Sequence, residues 1–213
     1  QKAVLIEDEH IVALVDAEQI PADIGVSYDL EGGTLIPGFI DLQVNGGGGI
    51  LFTAAPTVDS LRIIGAAHRQ YGTTGFLPTL ITTRFDVMRE AVSVVAEAIA
   101  IGIPGVLGLH LEGPFLSPER KGVHDAGKFC QLDQTGFDIL TSLQVGSTVV
   151  TLAPELTSPQ MISRLVEEGV IVCGGHSGAT YAQTRDALAH GLSGFTHLYN
   201  AMTPLQSREP GMV

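Results

Sequence analysis

The sequence of 213 residues has no tryptophan, two cysteines and few charged residues, and these scarcities exclude several classes of protein. Its 11 Lys and Arg residues face 23 Asp and Glu residues, and the resulting net charge of −12 excludes a broad surface for nucleic acid or an anionic membrane. The longest nearly apolar stretch, residues 92–111, is interrupted by Gly102-Ile103-Pro104-Gly105, so no membrane span is expected. Cys130 and Cys173 form no CxxC pair and are predicted to be buried free thiols in a reducing cytoplasm.

Residues 1–35 are predicted to form part of a small β-sandwich-like domain. Two apolar runs, at residues 3–6 and 11–15, flank a polar turn and predict a pair of strands. A third short strand is expected at residues 26–30, ahead of a Gly32-Gly33 turn.

Residues 36–213 alternate between strand-like and helix-like segments. Helices are predicted at residues 57–71, 84–101, 158–168 and 181–190, with Thr57 and Ser158 as N-caps and a glycine after each helix. Strands are predicted at residues 35–44, 74–79, 106–112, 148–153, 170–174 and 194–197. This alternation is typical of βαβ units that build a parallel sheet.

The position of the polar residues distinguishes two parallel-sheet folds, an open doubly wound sheet and a (β/α)8 barrel. A dinucleotide-binding sheet carries GxGxxG after its first strand, but here Gln43-Val44-Asn45 and four glycines follow without that spacing. Polar residues instead follow several different strands, as they do at the top face of a barrel. The predicted fold is α/β, a (β/α)8 TIM-type barrel that is incomplete here, with about six strands and the rest beyond the end of the chain.

One carboxylate and two imidazoles follow the third, fifth and sixth predicted strands: Glu112, His176 and His197. Each alone has an ordinary explanation, as a solvated carboxylate or as a hydrogen-bonded core histidine. Together they suit a hydrolytic Zn²⁺ or a similar divalent ion with water in the open position. The glycines of Gly174-Gly175-His176-Ser177-Gly178 are expected to clear space around the His176 ring.

Five short motifs occur in the order and at the spacing of a known family. Pro37-Gly38-Phe39-Ile40-Asp41 resembles the first-strand signature of the amidohydrolase superfamily. The others are His110-Leu111-Glu112-Gly113-Pro114-Phe115, Lys121-Gly122-Val123-His124, Gly175-His176-Ser177 and Thr196-His197-Leu198-Tyr199-Asn200-Ala201-Met202. They resemble the N-acetylglucosamine-6-phosphate deacetylase family, and the likeness extends from about residue 4 to the last residue.

The resemblance implies hydrolysis of the amide of N-acetylglucosamine 6-phosphate to glucosamine 6-phosphate and acetate, by a cytoplasmic homodimer. It implies that Glu112, His176 and His197 are the metal ligands and that His124 is a catalytic residue at the acetamido group. The family's general acid/base aspartate would lie beyond the end of the chain.

The resemblance also implies a set of residues that bind the sugar phosphate. Its members are Val123, His124, Asn200, the backbone of Ala201, and Arg208, an arginine that can reach into the neighbouring subunit's site. Lys121 is the alternative cation for the phosphate, and it ranks below Arg208 because a lysine on a long loop is usually only solvated.

One sequence feature distinguishes this chain from many other amidohydrolases, and several alternatives stay open. Many superfamily members carry His-x-His where this chain has Gln43-Val44-Asn45, so one divalent ion is expected: zinc, with iron, cobalt and manganese as alternatives. His110 is expected to be a hydrogen-bonding partner or a core histidine rather than a ligand. The alternative functions are hydrolysis of another N-acetyl sugar phosphate, such as the galactosamine epimer, hydrolysis of a cyclic amide, and a non-catalytic truncated form.

Overall fold

The computed structural model describes residues 2–213, which divide between Pro37 and Gly38 into two compact units. The first unit contains an antiparallel hairpin of β1 (Lys2–Glu7) and β2 (His10–Asp16), which confirms the predicted pair of strands. The strand expected at residues 26–30 is wrong, because these exposed residues have no partner strand among those described. The predicted division into domains at residues 1–35 and 36–213 stays a prediction. Gln1, the first residue of the smaller predicted domain, lies outside the described residues.

The second unit is built on six parallel strands that form a curled half-barrel in the order β10-β9-β8-β7-β6-β3. A short hairpin, β4 and β5, follows the first of them. The bounds in chain order are β3 (Phe39–Val44), β4 (Gly46–Gly47), β5 (Ile50–Leu51), β6 (Thr73–Ile81), β7 (Gly108–Glu112), β8 (Ser147–Leu152), β9 (Ile171–Gly174) and β10 (Gly194–Phe195). The six predicted parallel strands are confirmed, while a complete barrel stays a prediction.

Five helices lie between or after these strands: α1 (Val58–Arg69), α2 (Phe85–Ala100), α3 (Gln134–Leu140), α4 (Pro159–Glu167) and α5 (Tyr181–Ala189). The predicted N-caps are confirmed, since Thr57 accepts from the Ser60 amide at 3.1 Å and Ser158 from the Met161 amide at 3.3 Å. The expected C-terminal glycines have left-handed backbones, with φ from +73° to +103°: Gly72, Gly102, Gly169 and Gly191. None of the helices in residues 2–213 has the length and hydropathy needed to cross a membrane.

Helix α3 was not predicted from the sequence. It has seven residues, and its interior Gly136 and Thr135 are poor helix formers, so propensity alone gives a weak signal. Asp133 caps it by accepting from the Gly136 amide at 2.9 Å. A Cβ at position 136 would lie 2.8 Å from the Phe115 ring, so the glycine allows the helix to pack closely on the core.

The two faces of the curled sheet differ in polarity. On β7, Leu109 and Leu111 are fully buried in the apolar core shared with the helices. His110 and Glu112 alternate with them and point into the half-barrel. Helix α2 presents an apolar stripe to the same core, formed by Met88, Ala91, Val92, Val95 and Ala98. The chemistry-bearing side chains are therefore collected on the inner face.

The two cysteines are free, and one of them lies where it was not expected. Cys130 is exposed, so its predicted burial is wrong, while Cys173 on β9 is partly buried. Burial raises the pKa of the Cys173 thiol, while desolvation by neighbouring atoms and the nearby Asp133 carboxylate raise the pKa of the Cys130 thiol.

Candidate metal centre

Three side chains converge at the carboxyl ends of β7, β9 and β10. The Oε1 atom of Glu112 lies 3.2 Å from Nε2 of His176 and 3.3 Å from Nε2 of His197, and the two Nε2 atoms are 3.0 Å apart. A tetrahedral ion with ligand bonds of 2.0–2.1 Å places neighbouring ligand atoms about 3.3 Å apart. The triangle therefore has the size of one face of such a tetrahedron, and these residues could hold a metal ion.

The strand register explains why these residues meet. Glu112 pairs with Thr151, Thr151 with Cys173, and Cys173 with Gly194, which defines one row across four parallel strands. His176 and His197 each lie three residues beyond this row. Both adopt left-handed backbones, with φ of +48° and +36°, and so turn back towards Glu112.

The hydrogen bonds of the two imidazoles fix which nitrogen faces the centre. Nδ1 of His176 donates to the carbonyl of Arg120 at 2.8 Å, and Nδ1 of His197 donates to the carbonyl of Asn200 at 3.0 Å. In the neutral rings both Nε2 atoms then carry lone pairs that point at each other and at a carboxylate. Three converging lone pairs need a positive charge between them, which fits a divalent cation.

The electrostatics of the cluster favour the same conclusion. Burial opposes ionisation of Glu112, but the hydrogen bonds that His176 and His197 donate from Nε2 in their protonated forms outweigh it and hold the pKa of the carboxyl well below its ordinary value. The hydrogen bond to Glu112 raises the pKa of His197. The carboxylate is thus ionised at neutral pH and attracts positive charge to the point where an ion would bind.

Gln43, at the end of β3, reaches the same carboxylate from the other side. Its Nε2 donates to Oε2 of Glu112 at 3.0 Å. This bond leaves Oε1 as the free ligand atom, so the residue that stands in place of a superfamily histidine orients the carboxylate. The sequence singled out Gln43 only as a missing metal ligand; its bond to Glu112 had no signal in the sequence.

His124 lies beside the cluster and is almost fully buried. Its Nδ1 accepts from the Thr82 amide at 3.4 Å and contacts the Thr82 hydroxyl at 2.8 Å. The remaining proton is therefore on Nε2, which lies 3.9 Å from Oε1 of Glu112. Burial, followed by the nearby His176, lowers the pKa of His124 to about 4, so the ring is a neutral donor facing the centre.

His110 is hydrogen-bonded within the half-barrel and is not part of the ligand triangle. Its Nδ1 lies 3.2 Å from the Thr79 hydroxyl and its Nε2 2.7 Å from the Thr151 hydroxyl. Thr151 continues the chain to Thr196, 2.6 Å away and next to His197. This buried polar chain links the inner face of β6, β7 and β8 to the loop that carries a ligand.

The glycines around His176 act differently from the sequence-based expectation. A Cβ at Gly175 would lie 2.8 Å from Thr151 and 3.1 Å from Thr196, so this glycine lets neighbouring strands approach. The glycine against the His176 ring is Gly122, where a Cβ would lie 3.1 Å from Cε1 of the ring. Gly122 has a left-handed φ of +53°.

The predicted substrate residues lie in two exposed segments. Val123, beside His124, is 88% exposed. Asn200 and Ala201 follow His197, and the Ala201 carbonyl accepts from the Ser177 amide at 3.1 Å, which ties the two ligand loops together. Arg208 is exposed, and its guanidinium forms no side-chain hydrogen bond or ion pair with any described residue.

Sequence reasoning also missed two residues that contact the site. Thr82, which holds His124, has no distinguishing signal, because threonine is common at strand ends. Glu155 lies three residues beyond the last residue of β8 and accepts hydrogen bonds from the residues after His176. Its position close to the carboxyl end of a strand, where Glu112 also lies, is the signal that could have identified it.

A parallel half-barrel with a carboxylate and two imidazoles at its carboxyl edge defines the class of metal-dependent hydrolase-type barrels. No family model matches the chain. An N-acetylgalactosamine-6-phosphate deacetylase from Shewanella sp. (strain ANA-3) is 47% identical over 186 residues, which are 87% of this chain and 47% of that protein. The N-acetylglucosamine-6-phosphate deacetylase of Haemophilus influenzae is 38% identical over 212 residues, 99% of this chain and 55% of that protein.

Solved structures give the same result. The crystal structure of N-acetylglucosamine-6-phosphate deacetylase from Pasteurella multocida matches all of this chain with a TM-score of 0.95 and 39% identity, over 56% of its own length. The chain belongs to the family of N-acetylglucosamine- and N-acetylgalactosamine-6-phosphate deacetylases. It spans about half the length of the curated relatives it matches.

Proposed function

We propose that this chain carries the metal centre of a deacetylase that hydrolyses the amide of N-acetylglucosamine 6-phosphate to glucosamine 6-phosphate and acetate. The observation that carries the proposal is the convergence of Glu112, His176 and His197 to within 3.0–3.3 Å of one another. The named activities of the relatives support the substrate class.

The ligand set supports one divalent ion, and zinc is the proposed metal because two imidazole nitrogens and one carboxylate oxygen suit it. When bound, such an ion supplies an activated water at neutral pH and polarises a carbonyl oxygen. Glu112 and the two histidines hold it, and Gln43 keeps the carboxylate in the orientation that presents Oε1. Iron, cobalt and manganese are the alternatives that metal analysis distinguishes.

His124 is the proposed catalytic donor of this chain. Its Nε2–H faces the centre, and its Nδ1 is occupied by Thr82. In this role it donates to the amide carbonyl oxygen as negative charge develops there, an interaction worth about 3 kcal/mol for a single oxyanion donor. Because the pKa of His124 is held near 4, the ring stays in the donor form around neutral pH.

The sugar phosphate is proposed to bind along the exposed residues next to the centre. Asn200 offers an amide donor, Ala201 a backbone N–H and Arg208 a guanidinium suited to phosphate oxygens. Val123 would contact the substrate beside His124. The absence of a described partner for Arg208 supports this role, because its guanidinium is available.

The whole protein is proposed to complete a (β/α)8 barrel and to act as a cytoplasmic homodimer. The twofold greater length of the relatives supports the complete barrel, as does β3, whose exposed Phe39, Ile40 and Leu42 lie on an edge of the sheet. Exposed apolar side chains near the centre, Tyr199 and Leu205, support a subunit contact. The free thiols support a reducing compartment.

The epimer is a second candidate substrate, because the Shewanella relative, at 47% identity, is named for N-acetylgalactosamine 6-phosphate. The two sugars differ at one hydroxyl, so both belong in the same assay. Hydrolysis of the preferred sugar by the full-length protein identifies the substrate.

The experiment that tests the function measures acetate release by the full-length protein before and after removal of metal with a chelator. We expect activity to disappear on removal and to return with one equivalent of Zn²⁺ or another divalent ion. Glu112→Gln should lose both the bound metal and activity, whereas Glu90→Gln, on the exposed side of α2, should lose neither. Activity that persists without metal would contradict the proposal.

A further inference from the structure

Glu155 holds the loop that carries His176, although it has no contact with the ligand triangle among the described residues. It lies in the turn Pro154–Leu156, which is separated from the end of β8 by one residue. Its Oε2 accepts from the Ser177 hydroxyl at 2.6 Å, and its Oε1 accepts from the Gly178 amide at 2.5 Å. We infer that Glu155 is a positioning residue that sets the metal affinity of the centre through the His176 loop, an inference that rests on the proposed function.

Ser177 links this carboxylate to two other parts of the site. It is fully buried, and its hydroxyl oxygen accepts from the Ala179 amide at 3.0 Å, so its proton is directed to Glu155. Its own amide donates to the Ala201 carbonyl at 3.1 Å. Glu155 therefore joins the loops after β8, β9 and β10, two of which carry a metal ligand.

The conformation of His176 explains why such an anchor matters. The residue has a left-handed φ of +48°, which non-glycine residues rarely adopt without support. The Ser117 amide donates to the His176 carbonyl at 2.9 Å, and the ring donates to the Arg120 carbonyl. On its C-terminal side the support comes from Glu155, through the next two residues.

Loss of this support would let the backbone at His176 relax towards a common conformation. The ring pivots on the same backbone, so Nε2 would move relative to Glu112. Metal–ligand bonds tolerate a change of only about 0.2 Å, so a small movement weakens binding. The effect should therefore be seen in metal affinity before it is seen in folding.

The test compares Glu155→Gln with Glu119→Gln in the full-length, metal-free protein. Glu119 is a matched control, because its carboxylate lies beside the same Gly178 but accepts no hydrogen bond from it, and the charge change is the same. Zinc affinity is measured by titration against a competing chelator, and the melting temperature is measured with and without zinc. We expect Glu155→Gln to weaken zinc binding about 10- to 100-fold, the range for residues that orient ligands, and Glu119→Gln to change it less than twofold.

The melting temperatures separate positioning from a merely structural role. Positioning predicts that the rise in melting temperature on adding zinc shrinks in Glu155→Gln, while a structural role lowers both melting temperatures equally and leaves the affinity unchanged. Unchanged affinity therefore overturns the inference and leaves the proposed function intact. A wild-type protein that binds no divalent ion overturns both.

A second variant keeps the inference falsifiable if Glu155→Gln does not fold. Ser177→Ala removes one of the two bonds to Glu155, together with the bond from the Ala179 amide, and leaves the carboxylate and the Gly178 bond in place. We expect a smaller loss of zinc affinity, about 3- to 10-fold, because the Gly178 bond to Glu155 still supports the loop and the 10- to 100-fold range applies to loss of the whole partner. Wild-type affinity in a folded Ser177→Ala protein would overturn the inference.

Discussion

The buried His110 should leave a signature in the pH dependence of folding. Burial lowers the pKa of His110 to about 4 from its ordinary value of 6.5, against a weaker opposing effect of Glu112. Between these values the ring is neutral in the folded protein and protonated in the unfolded chain. The associated stability is fully present above pH 6.5 and is lost as the pH falls to about 4.

The size of this loss follows from the shift. One pKa unit corresponds to about 1.4 kcal/mol, so the free energy of unfolding should fall by about 3 kcal/mol in total as the pH falls from above 6.5 to below 4. About 1.4 kcal/mol of it should be lost by pH 5.5 and about 2.6 kcal/mol by pH 4.5. His110→Gln removes the titrating group, so this part of the pH dependence should disappear.

Urea unfolding of the metal-free protein between pH 7.5 and 4.5 measures the effect. At pH 7.5 His110→Gln should be less stable than wild type by about 1–3 kcal/mol, because hydrogen bonds to Thr79 and Thr151 are lost. This difference in the free energy of unfolding should become smaller or change sign as the pH falls, because only the wild type loses the stability associated with His110. His10→Gln, at an exposed histidine of β2, is the control and should leave the wild-type curve unchanged. If the wild-type and His110→Gln curves run parallel, the neutral, buried state assigned to His110 is wrong.

Three further variants test the metal, phosphate and packing arguments. Gln43→His with Asn45→His should raise the bound metal from about one ion towards two per chain, measured by elemental analysis, whereas two ions in the unmodified centre would contradict a single-metal site. Arg208→Ala should lower kcat/KM for the phosphorylated sugar about 10- to 1000-fold and barely change turnover of free N-acetylglucosamine, since it removes charge-assisted hydrogen bonds to phosphate; equal losses would exclude Arg208 from the phosphate site. Gly175→Ala should lower the free energy of unfolding by about 1–3 kcal/mol in chemical denaturation, because its Cβ meets Thr151 at 2.8 Å, whereas Gly25→Ala, with no atom within 4 Å, should not; equal stabilities would refute the packing argument.

The sheet and its helices could be predicted because their signals are local. Apolar runs such as that of β8 mark strands buried on both faces, and caps such as Thr57 mark where helices begin. Helix α3 could not be predicted because it has only seven residues, and its formation depends on packing of Phe137 and Leu140 rather than on helix propensity. The strand expected at residues 26–30 was predicted wrongly although its local signal was present, because a sequence of high β-propensity forms no strand without a partner strand.

The candidate ligands could be proposed from the sequence because they are unusual residue types after strands. The residues that hold the ligands and His124 in place could not be predicted in this way. Thr82, Gln43 and Glu155 act through contacts between segments that are distant in sequence. The glycine beside the His176 ring was misplaced for the same reason. Gly122 approaches the His176 ring from another loop. Gly175, which precedes His176 in the sequence, instead packs against Thr151 and Thr196.

Convergence of the ligands depends on register as much as on residue type. Side chains alternate between the two faces of a strand, so a shift of β7 by one residue would turn Glu112 towards the helices and bring Leu111 into the half-barrel. The apolar core opposes that shift, because it would expose Leu109 and Leu111 to the polar interior and bury His110 among apolar side chains. The same alternation that stabilises the sheet therefore fixes the carboxylate on the row from which His176 and His197 are each three residues away. The left-handed turns at the two histidines complete the geometry, so the centre depends on its loops for precision and on the core for position.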